Sequence, residues 1–360
     1  MQFYTLKNSM NNKIFMQRAI DLATLGLGHV SPNPIVGCVI VHKGKIIGEG
    51  YHYQFGGPHA EIVALNSIKN RDLLKESTLY VTLEPCSHFG KTPPCADTII
   101  NVGIPYVVVS CLDPNPLVSG KGIKKMTDAG IKVETGLLEK EYRFINRRFF
   151  TFFEKKRPYI ILKWAQTKDG FIDYERNCNT PEIHWISSPF NKTLVHKWRS
   201  EEMAILVGSN TILNDNPKLT NRLWSGQNPT RLVLMSKKKV PVQAHVFNNE
   251  AKTIIFSCAA QNLTSVNVEM VEIKNKESFL EEVMNHLYKM NITSVLVEGG
   301  YKTIQSFINQ DLWDEARVIT GNIFFNNGIK APILNIEAKH KEMIGGDQIN
   351  VYYNTKQSKP

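Results

Sequence analysis

Short apolar runs alternate with helix-like segments along most of the chain. The runs Ile35 to Val41 and Lys45 to Tyr51 flank His42-Lys43-Gly44, which predicts two strands joined by a hairpin turn. After them the pattern predicts, in order, a helix entered at Gly56-Gly57-Pro58, a strand at 78–83, a helix at 95–101, a strand at 106–110, a helix near 121–129 and a strand at 131–134. This alternation indicates a three-layer α/β domain with a central sheet.

A charged and aromatic segment, residues 139–156, separates this pattern from a second one. Pro158 prevents a preceding helix from continuing, and Tyr159 to Trp164 then predicts a new buried strand. A chain of 360 residues is also too long for one ordinary hydrophobic core. We therefore expect two domains, residues 1–150 and 151–360.

The second half contains two strands that run into small-residue turns and helices. They are Ala204 to Ile212, which contains Gly208-Ser209, and Ser294 to Gly300, which ends in Gly299-Gly300. A helix that starts at such a turn presents free N–H groups to a phosphate, although most turns of this kind are only tight connections. Neither turn has the Gly-x-Gly-x-x-Gly spacing of the standard dinucleotide-binding fold.

Composition and charge exclude several classes of protein. The hydrophobic content of 42% is a globular value, and no apolar stretch is long enough to span a membrane. The segment Met1 to Asn12 lacks the apolar centre of a secretory signal and is expected to be a short irregular extension. The net charge of +10 comes from scattered Lys and Arg, with the densest run, Lys237 to Lys239, expected in a solvated turn. This excess suits small phosphorylated substrates better than nucleic acid.

The cysteines indicate a reducing compartment. Cys38, Cys111, Cys178 and Cys258 show no close pair spacing, so a cytoplasmic protein without disulfides is expected.

The remaining two cysteines, Cys86 and Cys95, belong to a pattern with His59 and Glu61. One His and two Cys supply three ligands for Zn²⁺ and leave the fourth tetrahedral position open, as in catalytic zinc sites. The order His-x-Glu, Pro-Cys, Cys is typical of zinc-dependent nucleobase deaminases, in which the Glu moves a proton from water to the departing amine. The sequence therefore predicts a catalytic zinc with Glu61 as the proton carrier.

Eight residues separate the two cysteines, whereas the general signature has two. Within this insert, His88 and Lys91 could reach an anionic group of the substrate, and the alternative is a solvated loop. Two other functions stay open. A nucleic-acid deaminase with an accessory domain needs an aromatic and basic channel that the sequence does not show. A zinc-stabilised interaction protein needs a fourth ligand, for which His88 is the candidate.

Longer motifs give a more specific identification. The segments Ser31 to Val39 (SPNPIVGCV), Gly57 to Glu61 (GPHAE) and Tyr80 to Cys95 (YVTLEPCSHFGKTPPC) resemble the bifunctional riboflavin-biosynthesis deaminase/reductase, and the resemblance covers nearly the whole chain. It implies a cytidine-deaminase-like α/β/α first domain that deaminates 2,5-diamino-6-ribosylamino-4(3H)-pyrimidinone 5′-phosphate. The positions that it implies for substrate contacts are Asn33, His52, His88 and Lys91.

The segment Asn210 to Arg222 is similar to the reductase half of the same family, whose fold resembles dihydrofolate reductase. The resemblance implies reduction of the ribosyl group to a ribityl chain with NADPH. The positions implied for the cofactor are Ala165, Trp185, Thr211, Asp215, Ser236, Gly300, Tyr301, Lys302, Thr303, Ile304, Gln305 and Ser306. Those implied for the substrate are Lys163, Arg199, Leu219, Arg222 and Glu298.

Independent reasoning about the residues supports some of these positions. Arg199 and Arg222 could each bind a phosphate through two N–H groups, with exposed surface arginine as the alternative. Lys163 and Glu298 are the polar candidates for catalytic proton transfer in the reduction, although the sequence does not identify the donor. The expected partners are a phosphorylated pyrimidine and further copies of the chain, with no nucleic acid and no membrane.

Overall fold

The structure, a computed structural model, describes residues 2–89, 93–116, 118–176, 181–235, 240–259 and 267–358, with side chains from residue 11 to residue 356. The chain forms two compact units, Met1–Lys155 and Lys156–Pro360. None of the helices in these ranges is long and apolar enough to cross a membrane.

The first unit alternates helices and strands as the hydrophobic pattern predicts. Its elements are α1 (Gln2–Thr24), β1 (Gly37–His42), β2 (Lys45–Tyr51), α2 (Ala60–Asn66), a 3₁₀ turn (Arg71–Glu76), β3 (Ser77–Leu83), α3 (Cys95–Val102), β4 (Tyr106–Cys111), α4 (Lys121–Asp128), β5 (Lys132–Thr135), α5 (Glu139–Ile145) and α6 (Arg147–Lys155). The sheet order is β2-β1-β3-β4-β5. β1 is antiparallel to both its neighbours, and β3, β4 and β5 are parallel.

Helices cover both faces of this sheet, because alternate strand residues point to opposite sides. Val107 and Val109 of β4 share one core with residues of α2, α3 and α4, whereas Val108 lies in a second core with α1, α5 and α6. The predicted three-layer arrangement is confirmed.

Two sequence expectations for the first unit are wrong. The segment 1–12, predicted as an irregular extension, is helical from Gln2 onwards, and α1 packs on the sheet through Met16, Ala19 and Ile20. Their spacing of three and four residues places them on one helix face. The segment 139–156, predicted to connect two cores, instead forms α5 and α6. Its aromatic residues Tyr142, Phe149 and Phe150 are buried in the core of the first unit.

The second unit contains a nine-stranded sheet. Its elements are β6 (Tyr159–Gln166), β7 (Phe171–Asp173), α7 (Pro189–Glu201), β8 (Ala204–Gly208), α8 (Ser209–Asp215), β9 (Thr230–Met235), a 3₁₀ turn (His245–Phe247), β10 (Thr253–Ser257), β11 (Val268–Glu272), α9 (Phe279–Lys289), β12 (Ser294–Val297), α10 (Tyr301–Asn309), β13 (Glu315–Thr320), β14 (Ile329–Lys330), β15 (His340–Ile344), β16 (Asp347–Tyr353) and a 3₁₀ turn (Thr355–Ser358). The sheet order is β11-β10-β9-β8-β12-β6-β13-β16-β15, with β7 and β14 paired separately.

The first seven strands in this order, from β11 through to β13, are parallel to one another. β16 and β15 then extend the sheet with antiparallel pairing. Helices α9 and α10 pack on one face, and α7 and α8 on the other. The strands β6, β8 and β12 predicted from apolar runs are confirmed, and β12 lies between the other two. The residues that follow β8 and β12 therefore lie at the same edge of the sheet.

Candidate active sites

His59, Cys86 and Cys95 meet where one strand ends and two helices begin. His59 caps α2, Cys86 follows β3, and Cys95 is the first residue of α3. One ligand atom from each lies within 4.8 Å of the others, and His59 Nδ1 is 3.6 Å from Cys86 Sγ and 3.3 Å from Cys95 Sγ. Tetrahedral zinc separates bound nitrogen and sulfur by about 3.6 Å, from bond lengths of about 2.1 and 2.3 Å. The three residues therefore fit a zinc ion.

The surroundings of the Cys86 sulfur favour its thiolate form, which is the form that binds metals. The backbone N–H of Cys95, at the start of α3, donates to Cys86 Sγ at 3.3 Å. The Cys95 side chain and His59 lower the pKa of Cys86 to about 4, so the thiolate is favoured. Among the described residues, no fourth His, Cys, Asp or Glu joins this cluster. His88 is exposed and outside it, which favours the open catalytic arrangement over a closed structural site.

Glu61 lies in the first turn of α2, two residues after His59, and is buried. Burial raises the pKa of this carboxyl, which makes its carboxylate form a stronger base. A carboxyl group that is buried and is not a ligand is suited to accept and return a proton within the site.

Glu84 holds the segment that carries Cys86. Its Oε2 accepts the backbone N–H of Gly120 and its Oε1 that of Gly122, both at 2.9 Å, at the start of α4. A Cβ on Gly122 would lie 2.0 Å from the Pro85 carbonyl oxygen, so only glycine permits this approach. Sequence reasoning did not assign Glu84 a role, because its partners lie about 36 to 38 residues further along the chain.

Asn33 and His52, predicted as substrate contacts, lie together. His52 Nδ1 donates to the Pro58 carbonyl at 2.9 Å, so its Nε2 accepts from Asn33 Nδ2 at 3.2 Å. The rings of His52 and His59 meet edge to face at 5.7 Å. His52 is thus adjacent to His59, one of the predicted metal ligands, and Asn33 contacts His52. Lys91, the fourth predicted contact, lies outside the described residues.

The loop that carries Asn33 is held by α5 and by the residue that follows it. The Ile35 carbonyl accepts from Tyr142 Oη and from Asn146 Nδ2, each at 2.9 Å, and the Ile35 N–H donates to Asn146 Oδ1 at 3.3 Å. Sequence reasoning missed these contacts because it treated residues 139–156 as a connection.

In the second unit, Glu298 follows β12 and contacts two of the predicted substrate residues. Arg199 of α7 donates from Nε and Nη2 to its two oxygens, both at 2.8 Å, and Lys163 Nζ of β6 is 3.6 Å away. Burial alone would raise the pKa of Glu298, but Arg199 and Lys163 lower it to about 2. The carboxylate is therefore ionised, and it occupies the guanidinium edge that was predicted to bind phosphate.

Leu219 and Arg222 lie on the loop after α8. Leu219 is buried and has a left-handed backbone (φ 53°), and the Arg222 side chain donates to the Thr220 hydroxyl at 2.9 Å. Within the described ranges, no carboxylate forms an ion pair with Arg222, which is exposed. Its charge is consequently available to a phosphate.

The turns after β8 and β12 meet, as their parallel strands require. Thr211 Oγ1 of α8 accepts the backbone N–H of Gly300 at 2.9 Å. A Cβ on Gly208 would lie 2.5 Å from Thr303 Oγ1 of α10, so the two turns pack closely. The predicted cofactor positions Thr211 and 300–306 are thus contiguous.

The other predicted cofactor positions are spread more widely. Ala165 lies on β6, and the half-exposed Trp185 has Lys192 Nζ 3.4 Å above its ring. Asp215, at the end of α8, pairs with Arg176 at 3.0 Å, and burial raises its pKa to about 6. Arg176 was not singled out from the sequence. Ser236 lies outside the described residues.

Two protein families match the chain. The cytidine and deoxycytidylate deaminase zinc-binding region matches residues 9–111, and the RibD C-terminal domain matches residues 158–332. The riboflavin biosynthesis protein RibD of Aquifex aeolicus is 41% identical over 333 residues, which cover 91% of this chain and 91% of that protein. The chain belongs to the RibD family.

Solved structures related to RibD have the same fold. A diaminohydroxyphosphoribosylaminopyrimidine deaminase/5-amino-6-(5-phosphoribosylamino)uracil reductase from Thermotoga maritima aligns with a TM-score of 0.85 at 38% identity, over 96% of this chain and 99% of that one. RibD from Acinetobacter baumannii aligns with a TM-score of 0.87 at 30% identity, over the same shares. The predicted two-part α/β fold and the family are confirmed. As a RibD protein, the chain combines a zinc-binding deaminase region with a C-terminal reductase domain and acts in riboflavin biosynthesis.

Proposed function

We propose that the first unit deaminates 2,5-diamino-6-ribosylamino-4(3H)-pyrimidinone 5′-phosphate and that the second reduces the ribosyl group of the product to a ribityl chain with NADPH. The observation that carries this proposal is the cluster of His59, Cys86 and Cys95 beside the buried, unligated Glu61. The family relationship and the name of the Thermotoga maritima protein support the choice of substrate.

In the deaminase site, His59, Cys86 and Cys95 hold Zn²⁺. When bound, the zinc supplies a Lewis acid that makes water a competent nucleophile at neutral pH. Glu61 takes the proton from that water and delivers it to the departing amine. Its burial keeps the proton within the site, because exchange with bulk water is restricted.

Asn33 and His52 position the substrate in the deaminase site. The His52 ring is fixed by the Pro58 carbonyl and orients the Asn33 amide. His88 and Lys91 are proposed to contact the substrate phosphate, since both belong to the insert between the two cysteines.

In the reductase site, NADPH supplies the hydride. The contiguous turns at Thr211 and Gly300, with residues 300–306, are proposed to bind its phosphates, because the start of α10 presents free N–H groups. Ala165, Trp185, Asp215 and Ser236 complete the proposed cofactor site. Lys163 and Glu298 are proposed to orient the ribosyl group and to exchange a proton with it, and Leu219 and Arg222 to hold the phosphorylated end.

The contacts of Arg199 support a role other than direct binding of a phosphate. Because Glu298 occupies its guanidinium, we propose that Arg199 contributes to substrate binding mainly by fixing the Glu298 carboxylate.

All five cysteines of the described residues are free, which supports the proposed cytoplasmic location.

A coupled assay tests the proposed function. Purified protein is given the diaminopyrimidine ribosyl phosphate, and ammonia release and NADPH oxidation are followed before and after treatment with a zinc chelator. We expect the chelator to abolish ammonia release and added Zn²⁺ to restore it, whereas NADPH oxidation on deaminated substrate continues. Ammonia release from metal-free protein would contradict the proposal. Deamination of a cytosine-containing oligonucleotide at a comparable rate would instead support a nucleic-acid deaminase.

A further inference from the structure

His196 is a buried histidine of α7 to which neither the sequence motifs nor the proposed mechanism gives a role. The residue is 5% exposed, and its Nδ1 accepts the backbone N–H of Arg222 at 2.9 Å. Arg222 is one of the residues proposed to bind the substrate. The contact joins the helix to the backbone of the substrate-binding loop.

A second contact, one helical turn further along α7, holds the same loop. Arg199 lies three residues after His196 and therefore on the same helix face. Its Nη1 donates to the Thr220 carbonyl at 3.2 Å. Leu219, which precedes these residues in the loop, has a left-handed backbone conformation. A residue with a branched side chain rarely adopts this conformation without support from its surroundings. His196 and Arg199 together fix the backbone of residues 220–222.

The protonation state of His196 agrees with its role as an acceptor. Burial, together with the guanidinium groups of Arg199 and Arg222, lowers the pKa of His196 to about 4. The ring is therefore neutral near pH 7, with its hydrogen on Nε2 because Nδ1 accepts the Arg222 N–H. A neutral acceptor suits a position between two arginines, since a cation there would repel both.

The Arg222 guanidinium depends on its backbone for direction. Its side-chain hydrogen bonds go to the Thr220 carbonyl and hydroxyl, which belong to the same loop. No carboxylate of the described residues forms an ion pair with it, so the side-chain hydrogen bonds of Arg222 among these residues all lie within the loop. The contact from His196 to the Arg222 N–H therefore determines the position of the positively charged Arg222 guanidinium.

We propose that His196 is a positioning residue of the reductase site. By accepting the Arg222 N–H, it sets the loop so that the Arg222 guanidinium meets the phosphate of the substrate. This inference rests on the proposed function, and it adds a residue that does not itself touch the substrate.

Three substitutions distinguish positioning from general support of the fold. In His196→Asn, the amide oxygen takes the place of Nδ1 and keeps the acceptor. In His196→Gln, the amide lies one methylene further out, near the place of Nε2, and the acceptor is displaced. His196→Ala removes it. Asn and Gln have the same functional group, so they form a matched pair.

We expect His196→Ala and His196→Gln to raise the KM for the phosphorylated reductase substrate by about tenfold, the effect of one lost hydrogen bond and its orientation. The inhibition constant of inorganic phosphate should rise in parallel. The KM for NADPH and the rate of ammonia release should stay within about twofold of the wild type. His196→Asn should restore the substrate KM.

A double-mutant cycle tests whether the effect passes through Arg222. In an Arg222→Ala background, His196→Ala should change the substrate KM little further, because the guanidinium that it positions is gone. An equal change in both backgrounds would overturn the inference, as would a normal substrate KM in His196→Ala. If all three variants lowered kcat and raised both KM values to the same extent, His196 would only support the fold, and the inference would be overturned. Absence of NADPH oxidation by the wild-type protein would overturn the proposed reductase function and this inference together.

Discussion

Arg199 and Glu298 form a two-point ion pair, with Nε to Oε1 and Nη2 to Oε2 both at 2.8 Å. The side chains are 12% and 8% exposed, and Lys163 lies 3.6 Å from the same carboxylate. Three residues predicted separately as substrate contacts thus form one buried charge group with two cations and one anion. Its stability depends on the Glu298 carboxylate, because this is the group among the described residues that offsets both positive charges.

Replacement of Glu298 by Gln should therefore destabilise the second unit. We expect the free energy of unfolding to fall by about 3–5 kcal/mol, the loss typical when one partner of a buried ion pair is removed. Reduction should be lost, and ammonia release should persist in protein that stays folded. Denaturant unfolding and the two activity assays measure these effects.

The matched control is Glu250→Gln. Glu250 pairs with Lys218 at 2.9 Å, but both side chains are 41% exposed. We expect the free energy of unfolding to change little for this surface pair, because solvent screens the two charges. Similar losses for the two variants would show that the buried charge group is not a determinant of stability.

Glu61→Gln should keep the zinc and lose ammonia release. Glutamine preserves the shape of the side chain but cannot take up a proton, and the loss of a general acid and base lowers rates by about 10²- to 10⁴-fold. Metal content by mass spectrometry and ammonia release are the measurements. Cys86→Ser serves as the comparison, since it should lose zinc as well as activity. If Glu61→Gln also lost its zinc, Glu61 would have to be a ligand.

Glu84→Gln should weaken zinc binding, although Glu84 is not itself one of the proposed ligands. An amide in this position turns N–H donors towards the backbone N–H groups of Gly120 or Gly122, which leaves one of them without an acceptor. We expect zinc affinity to fall by about 10- to 100-fold and the free energy of unfolding of the first unit by about 1–3 kcal/mol. Competition with a zinc chelator measures the affinity.

The control for Glu84 is Glu49→Gln, which alters an exposed pair with Arg18. That variant should bind zinc like the wild type. Unchanged zinc affinity in Glu84→Gln would show that Pro85 and Cys86 are held by other contacts.

His196 should contribute a pH dependence to the stability of the second unit. Its pKa is about 4 in the folded protein, below the ordinary value of 6.5, so the unfolded chain takes up the proton first as pH falls. The stabilisation is complete above pH 6.5 and is lost as pH falls towards 4. Of the charged groups that face the ring, Arg199 and Arg222 do not titrate in this window, and Glu298 titrates near 2.

The difference in Tm between the wild type and His196→Asn isolates this contribution, because the other titrating groups are common to both proteins. The advantage of the wild type should shrink as the buffer is changed from about pH 7 to about pH 4.5. A constant difference over this range would mean that His196 keeps its ordinary pKa in the folded state.

Local sequence signals were sufficient to predict that His59, Cys86 and Cys95 lie together. His59, Cys86 and Cys95 each lie next to a strand end or a helix start, and those boundaries follow from apolar runs and from Gly and Pro positions. The strands β6, β8 and β12 were predicted for the same reason, as continuous apolar runs buried on both faces.

Contacts between distant residues were beyond the sequence. Glu298 and Arg199 are 99 residues apart, and their pairing depends on where β12 lies in the sheet. His196 belongs to no sequence motif, and a histidine in a helix is usually only a packed or solvated residue. Its position in the sequence therefore predicts no function. The role of Asn146 was hidden because its neighbours are charged and aromatic, a composition that fits both a connecting segment and a helix packed against a core.

The order of strands in the second sheet has a consequence for synthesis on the ribosome. β12, residues 294–297, lies between β8, residues 204–208, and β6, residues 159–166. A nascent chain that has emerged only to residue 290 has both flanking strands but not the one that separates them. The second unit must therefore wait for translation to pass Glu298, whereas His59, Cys86 and Cys95, the three residues proposed to bind zinc, have all been made by residue 95.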